Sequence, residues 1–349
     1  FSFIRIGDRA KLSTMLSLAI AALSLSSSAT SGEIAFLRAT GPDQRRVCIV
    51  NLSTGEVADV GPGPWDGAPV WSADGQKLAF THVLPSGRTA ILVCNAAGET
   101  LFTISAEGRN CTSPAWSPSG QLLAYTSETG TASRIWVHDI SKNAATQWGT
   151  EERDAMAPSW KSETELVGVG LIKEEGKGLT TDLFDIEPGS ASLLATTRGN
   201  GFFVEWQPVF QTVVAGLAYE SNDGGDREIF VELPRRGVVD VSNHRAPDWN
   251  PVWSPDGAWI AFESLRGGTR GIYRVTPQRI IVTPIAADAT SENWAPSWSP
   301  SGSSLVFVST RGGKPALYVC DVEGDNMRAV TTPDFEDLAP AWRPETAEQ

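Results

Sequence analysis

Short apolar runs bounded by clusters of Gly, Pro, Asp and Ser recur along this chain, and no window sustains a helical period. That pattern predicts β-strands joined by tight turns. One stretch shows the plan. Pro69-Val70-Trp71 opens an inner strand, and Ser72-Ala73-Asp74-Gly75 follows as a turn. An Asp followed by Gly suits a tight hairpin, because Gly takes a positive φ at no steric cost. The next strand ends in Ala79-Phe80, nine residues after the Trp, and a third runs from Ile91 to Cys94. A turn at Ala97-Gly98 then leads to a last short strand, Leu101 to Ile104.

The plan repeats. Trp71, Trp116, Trp160, Trp206, Trp253, Trp298 and Trp342 are spaced by 45, 44, 46, 47, 45 and 44 residues. Six of them sit in Pro-x-Trp, and the exception is Val204-Glu205-Trp206. Ala124-Tyr125, Ala261-Phe262 and Val306-Phe307 stand where Ala79-Phe80 stands in the first unit. A period of about 40 to 50 residues with four strands per unit predicts an all-β, seven-bladed β-propeller. Two units are worn. Lys161-Ser162-Glu163-Thr164 lacks the turn Gly, and Tyr219 arrives 13 residues after Trp206 instead of nine.

The two ends complement each other. Only seven residues follow Trp342, enough for one strand, while Glu33 to Arg38 carries Ala35-Phe36 with no Pro-x-Trp ahead of it. The reading is one blade shared between residues 33–61 and 339–343, which closes the ring and leaves no open edge. Residues 30–349 then form the propeller. Residues 1–29 differ in kind: Arg5, Arg9 and Lys11 precede an apolar run from Met15 to Leu25, then Ser26-Ser27-Ser28-Ala29. This describes a secretory signal peptide whose cleavage would leave Thr30 first. An uncleaved anchor is the alternative, although the run is shorter than the roughly 20 residues a membrane span needs. A periplasmic or secreted location is expected.

The whole chain carries −13, and residues 1–29 contribute +2 (Arg5, Arg9 and Lys11 against Asp8), which leaves −15. An acidic surface with no Lys/Arg stripe makes nucleic acid and anionic membrane surfaces poor partners. A monomer is expected. Four Cys in an exported chain invite disulfides. Cys94 and Cys320 fall late in third strands, Cys48 early in another, and Cys111 before an inner strand, so four buried thiols are predicted instead.

Trp253-Ser254-Pro255-Asp256-Gly257, then Ile260 to Arg266 and Ile272-Tyr273, closely resembles the repeat of TolB-like β-propellers. Pro296 to Gly302 and Asp321 to Asn326 do so as well. The resemblance spans residues 33–343 and implies a propeller that binds a protein, such as a lipoprotein, at one mouth in the cell envelope. The family's namesake has six blades and an α/β domain ahead of them, whereas this chain has seven Trp beats.

Motifs that carry chemistry are absent. There is no Gly-x-Ser-x-Gly, His-Glu-x-x-His or Cys-x-x-Cys, and only three His occur, His82, His138 and His244. These three do not visibly converge. A positional signal is stronger. A carboxylate or amide precedes the Pro of each inner strand by three or four residues: Asp66, Asn110, Asp154, Asp248, Glu292 with Asn293, and Asp337, with Asn200 at the equivalent place before Val204. Trp65, Trp249 and Trp294 lie beside three of them. Repeat symmetry puts all of these on one face, at the mouth of the central channel, where a rigid ring presents its binding loops. The alternative is that they anchor loop backbone.

Two functions follow from this. The first is a non-catalytic scaffold gripping a peptide or protein partner at the mouth. The second is an exported carbohydrate-active enzyme, a lyase or glycosidase, with the Trps as sugar platforms. Oligogalacturonate lyases share a related repeat. No cofactor is required, and a Ca²⁺ ion at the mouth carboxylates is the one ion this pattern suggests.

Overall fold

Every Pro-x-Trp beat runs along the inner edge of one antiparallel sheet. The computed structural model describes residues 32–345, apart from 175–177, 194–200, 207–215, 223–224 and 234–235. It holds seven four-stranded sheets. Blades 2 to 7 are continuous, covering 70–104, 110–148, 155–193, 201–240, 248–286 and 293–329. Blade 1 takes three strands from 33–59 and its inner strand, Asp337–Trp342, from the other end of the chain. That strand pairs antiparallel with Glu33–Gly41, with Ile34 opposite Trp342 and Arg38 opposite Asp337. Both worn units form complete blades, and in blade 5 Trp206 lies opposite Leu217 across the longer connection. The predicted secretory signal lies outside the described residues. No helix among those residues is long and apolar enough to cross a membrane.

The core is divided into seven slices, one between each pair of neighbouring blades. Blades 1 and 2, for example, share Leu37, Val47 and Ile49 with Leu78, Phe80 and Leu92. Blades 7 and 1 share Val306, Val308 and Leu317 with Ile34, Phe36 and Val50. Closure therefore rests on side-chain packing at both flanks of the shared blade, as well as on one strand ladder.

In four blades the recurring Trp stitches its blade to the one before it. Its indole Nε1 donates to the carbonyl of the residue just before the preceding blade's Trp. Trp71 reaches Ala341 at 3.1 Å, Trp116 reaches Val70 at 3.2 Å, Trp160 reaches Ala115 at 2.9 Å and Trp298 reaches Val252 at 3.1 Å. A buried indole is satisfied this way while its rings fill the slice. This double task explains why the position repeats as Trp rather than as any large apolar residue.

The Pro of the same motif marks a bulge. Ser113, Ala157, Asn250, Ala295 and Ala339 each precede a Pro and have φ of 52°, 51°, 54°, 51° and 48°. A non-glycine residue at positive φ is strained, and a residue before Pro normally stays extended. The ladder slips at each of these places, for instance between Trp249 and Val252. Three of the bulge amides find an acceptor on the preceding blade, which offsets part of the strain. Ala157 N–H donates to Thr126 Oγ1 at 3.0 Å, Asn250 N–H to Glu220 Oε2 at 3.1 Å and Ala295 N–H to Glu263 Oε1 at 2.8 Å.

All four thiols are free and buried. Burial pushes Cys48 and Cys320 up to about 12, so neither is a nucleophile at neutral pH.

Candidate binding face at the channel mouth

The polar residues singled out above stand where the inner strands begin, and the side chains of six of them have a partner nearby. Asp337 accepts from Nε and one terminal nitrogen of Arg38, each at 2.8 Å, and Asp248 accepts from Arg266 at 2.6 Å. Asp66 accepts from the backbone of Val47 and Gly63 and meets His82 Nδ1 at 2.8 Å. Asp154 accepts from Ser133 N–H at 2.9 Å and from Arg134 at 2.5 Å. Asn110 accepts from Thr89 N–H, and Asn293 from Arg311 at 3.1 Å. Glu292 is exposed. Asp66, Asp248, Asn293 and Asp337 are buried. Asn200 lies outside the described residues. Among the described residues, no three His, Cys, Asp or Glu side chains gather as a metal site.

The Asp–Arg pairs have a sequence logic that was not read from the repeat. Arg266 and Arg311 each lie four residues after a second-strand aromatic, Phe262 and Phe307. Each stacks on that ring and on the adjoining Tyr273 or Tyr318 while reaching the inner strand's first residue. The Asp of one strand and the Arg of the next are two ends of one clamp. His82 is drawn into the same pattern by Asp66, so one of the three His does meet a mouth carboxylate.

A second group, spanning blades 5 to 7, was also missed. Glu220 and Glu263 each follow a second-strand aromatic directly, where the same place elsewhere holds Leu37, Thr81, Thr126 or Val308. Both carboxyl groups are buried. Glu263 is held by Arg270 at 2.5 Å and by Asn250 Nδ2 at 2.7 Å, besides the Ala295 amide. Among the described residues, Glu220 has only the Asn250 amide within hydrogen-bond reach, with Arg227 at 3.6 Å, and its Oε1 has no hydrogen-bond partner. Burial pushes the Glu220 carboxyl up to about 7, with Glu263 adding to the rise and Asn250 and Arg227 opposing it. A charged residue at an inward strand position was the available signal.

Above this network, Arg270 lies between two of the predicted aromatics. Its guanidinium carbon is 5.4 Å from the Trp249 ring centre and 5.3 Å from that of Trp294. Both Trps are half-buried, and Trp65 on blade 2 is 50% exposed. The Trp–Arg–Trp stack is therefore a rigid amphipathic platform, fixed from beneath by Glu263.

A closed ring of seven four-stranded blades, the first completed by strands from both ends of the chain, defines a seven-bladed β-propeller. The sequence pattern of the TolB beta propeller domain matches residues 7–201, over half of the chain, and the chain belongs to that family. No curated protein matches it. Among solved structures it is similar to TolB from Acinetobacter baumannii, at 19% identity and TM-score 0.60, over 98% of this chain and 74% of that one. It is also similar to the propeller domain of the Trilobed protease from Pyrococcus furiosus, at 13% identity and TM-score 0.65, over 87% and 96%. That domain has an open velcro topology, whereas blade 1 here is closed by both termini. An oligogalacturonate lyase from Vibrio parahaemolyticus aligns at 15% identity and TM-score 0.56, over 86% of each chain. At these identities the likeness is one of fold.

Proposed function

We propose that this chain is an exported, non-catalytic scaffold of the cell envelope that binds a peptide or protein partner at the channel mouth. The observation that carries this reading is the stack of Trp249, Arg270 and Trp294, with Trp65 exposed on the same rim. Trp and Arg on a rigid support are the side chains most often found to dominate protein contacts, because they offer large area at little entropy cost. Export rests on the leader pattern of residues 1–29, and the family resemblance supports an envelope role. The test is co-purification from the producing cell's envelope fraction. A Trp65→Ala, Trp249→Ala, Trp294→Ala variant is expected to lose a stoichiometric partner that the parent retains, with its melting temperature little changed. Equal recovery by both proteins refutes the reading.

A second reading rests on Glu220. A buried carboxyl near 7 with an unpartnered oxygen is poised for proton transfer, as an exported glycan-cleaving enzyme would need. Cleavage of an acidic polysaccharide that is lost in Glu220→Gln would favour it.

A further inference from the structure

In blades 1, 6 and 7 an arginine stacked on strand aromatics donates to the side chain of the inner strand's first residue, a carboxylate in blades 1 and 6 and an amide in blade 7. Arg38 lies over Phe36 and pairs with Asp337, and Arg266 lies over Phe262 and Tyr273 and pairs with Asp248. Arg311 lies over Phe307 and Tyr318 and reaches Asn293. In blades 6 and 7 a serine two residues past the aromatic, Ser264 or Ser309, also accepts from that arginine at 2.9 Å.

Blade 3 keeps the aromatics and the serine but not the arginine. Tyr125 lies opposite Trp136, as Phe262 lies opposite Tyr273, and Ser127 stands where Ser264 stands. The residue four past Tyr125 is Thr129. A different arginine, Arg109 from the loop before the inner strand, stacks on Trp136 at 5.6 Å. Among the described residues it has no carboxylate or amide partner. Beside it is a cavity of about 470 Å³ lined by Ile104, Ala106, Glu107, Arg109, Ser127 and Trp136, among others. Ser127 is 3% exposed, and its hydroxyl meets no acceptor beyond the weak one of the neighbouring Cys111 sulfur. Trp136 Nε1 is buried without an acceptor.

We infer that this crevice between blades 2 and 3 is a binding site for a small organic carboxylate. Guanidinium and indole groups can only donate, and the serine hydroxyl can donate as well. Arg109 and Trp136 have no acceptor and Ser127 has only a thiol sulfur, so the cavity calls for a stronger acceptor, and the charge of Arg109 makes an anionic one the best match. A second cation would be repelled by Arg109, so the crevice does not take a guanidinium from another chain in place of the missing one. The ligand's carboxylate meets Arg109, Ser127 and Trp136, and its apolar body packs on Ile104 and Ala106. Glu107 is exposed on the rim and leaves Arg109 unpaired. The site is separate from the Trp249–Arg270–Trp294 platform of blades 6 and 7, and it does not depend on the function proposed for that platform.

The probes are benzoate and butyrate, each against its neutral amide, benzamide or butyramide, followed through the indole N–H resonance of Trp136. That resonance is assigned by its loss in Trp136→Phe. Both acids should shift it saturably and bind at least about tenfold more tightly than their amides, as a charge-assisted contact requires. Arg109→Met should abolish this preference, whereas Glu107→Gln should retain it. No saturable binding of either acid to the parent protein overturns the inference. So do acids and amides of equal affinity, or a preference that survives in Arg109→Met.

Discussion

Replacing Glu220 by Gln isolates the physics of the buried network. In the folded chain the Glu220 carboxyl is raised from its ordinary 4.5 to about 7, because burial disfavours its charge more than Asn250 and Arg227 restore it. The folded state thus holds this proton more tightly than the unfolded state does. Its contribution is fully present below pH 4.5 and is lost as pH rises through 7. At about 1.4 kcal/mol per pH unit, that interval corresponds to about 3 kcal/mol as an upper figure. Gln keeps the shape and does not titrate. Glu220→Gln should therefore match the parent near pH 4.5 and become more stable by up to about 3 kcal/mol above pH 8, or roughly 4 °C in melting temperature for a domain of this size. Melts of both proteins from pH 4 to 9 measure the difference, and subtraction removes other titrating groups, including Glu228, which burial also raises to about 7. A difference that does not change with pH would refute the argument. A variant less stable by a fixed amount would show that Glu220 is ionised and firmly paired with Arg227.

The remaining expectations concern the ring and its clamps. Deleting residues 337–345 removes the inner strand of blade 1 and its Arg38–Asp337 pair, so cooperative unfolding should be lost; an unchanged calorimetric transition would contradict ring closure. Trp298→Phe should cost about 1 kcal/mol more than Trp253→Phe, because Trp298 Nε1 donates to Val252 and Trp253 Nε1 has no partner. Denaturant melts giving equal losses would show that the indole hydrogen bond adds nothing. Asp248→Asn should cost on the order of 3 kcal/mol by leaving Arg266 without its counter-charge, and a loss under about 1 kcal/mol would mean that the clamp is dispensable.

Most of the architecture was legible as spacing. Seven Trp beats, an orphan second strand at Ala35-Phe36 and an orphan inner strand at Trp342 imply the blade number and the closure, because a strand with an open edge must find a partner. The mouth residues were legible as positions but not as partnerships. Asp248 and Arg266, or Asp337 and Arg38, are joined by the fold across 18 and 299 residues, and a periodic reading treats each member separately. Glu220 and Glu263 were harder still. Their partners are bulge amides on the next blade, and a bulge leaves no mark on sequence beyond the Pro that follows it. The Trp pair at 249 and 294 was visible, whereas Arg270 between them was not, since the stack forms only when two blades meet.

The proposed binding face is tested most directly by photo-crosslinking in the envelope. A photoreactive phenylalanine is placed in turn at Trp65, at Glu292 and at Ser301, which lies in the exposed turn at the opposite end of a blade 7 strand. Binding at the mouth predicts the same discrete adduct from positions 65 and 292 and none from 301. Adducts of equal yield from all three positions, or an adduct from 301 alone, would contradict it.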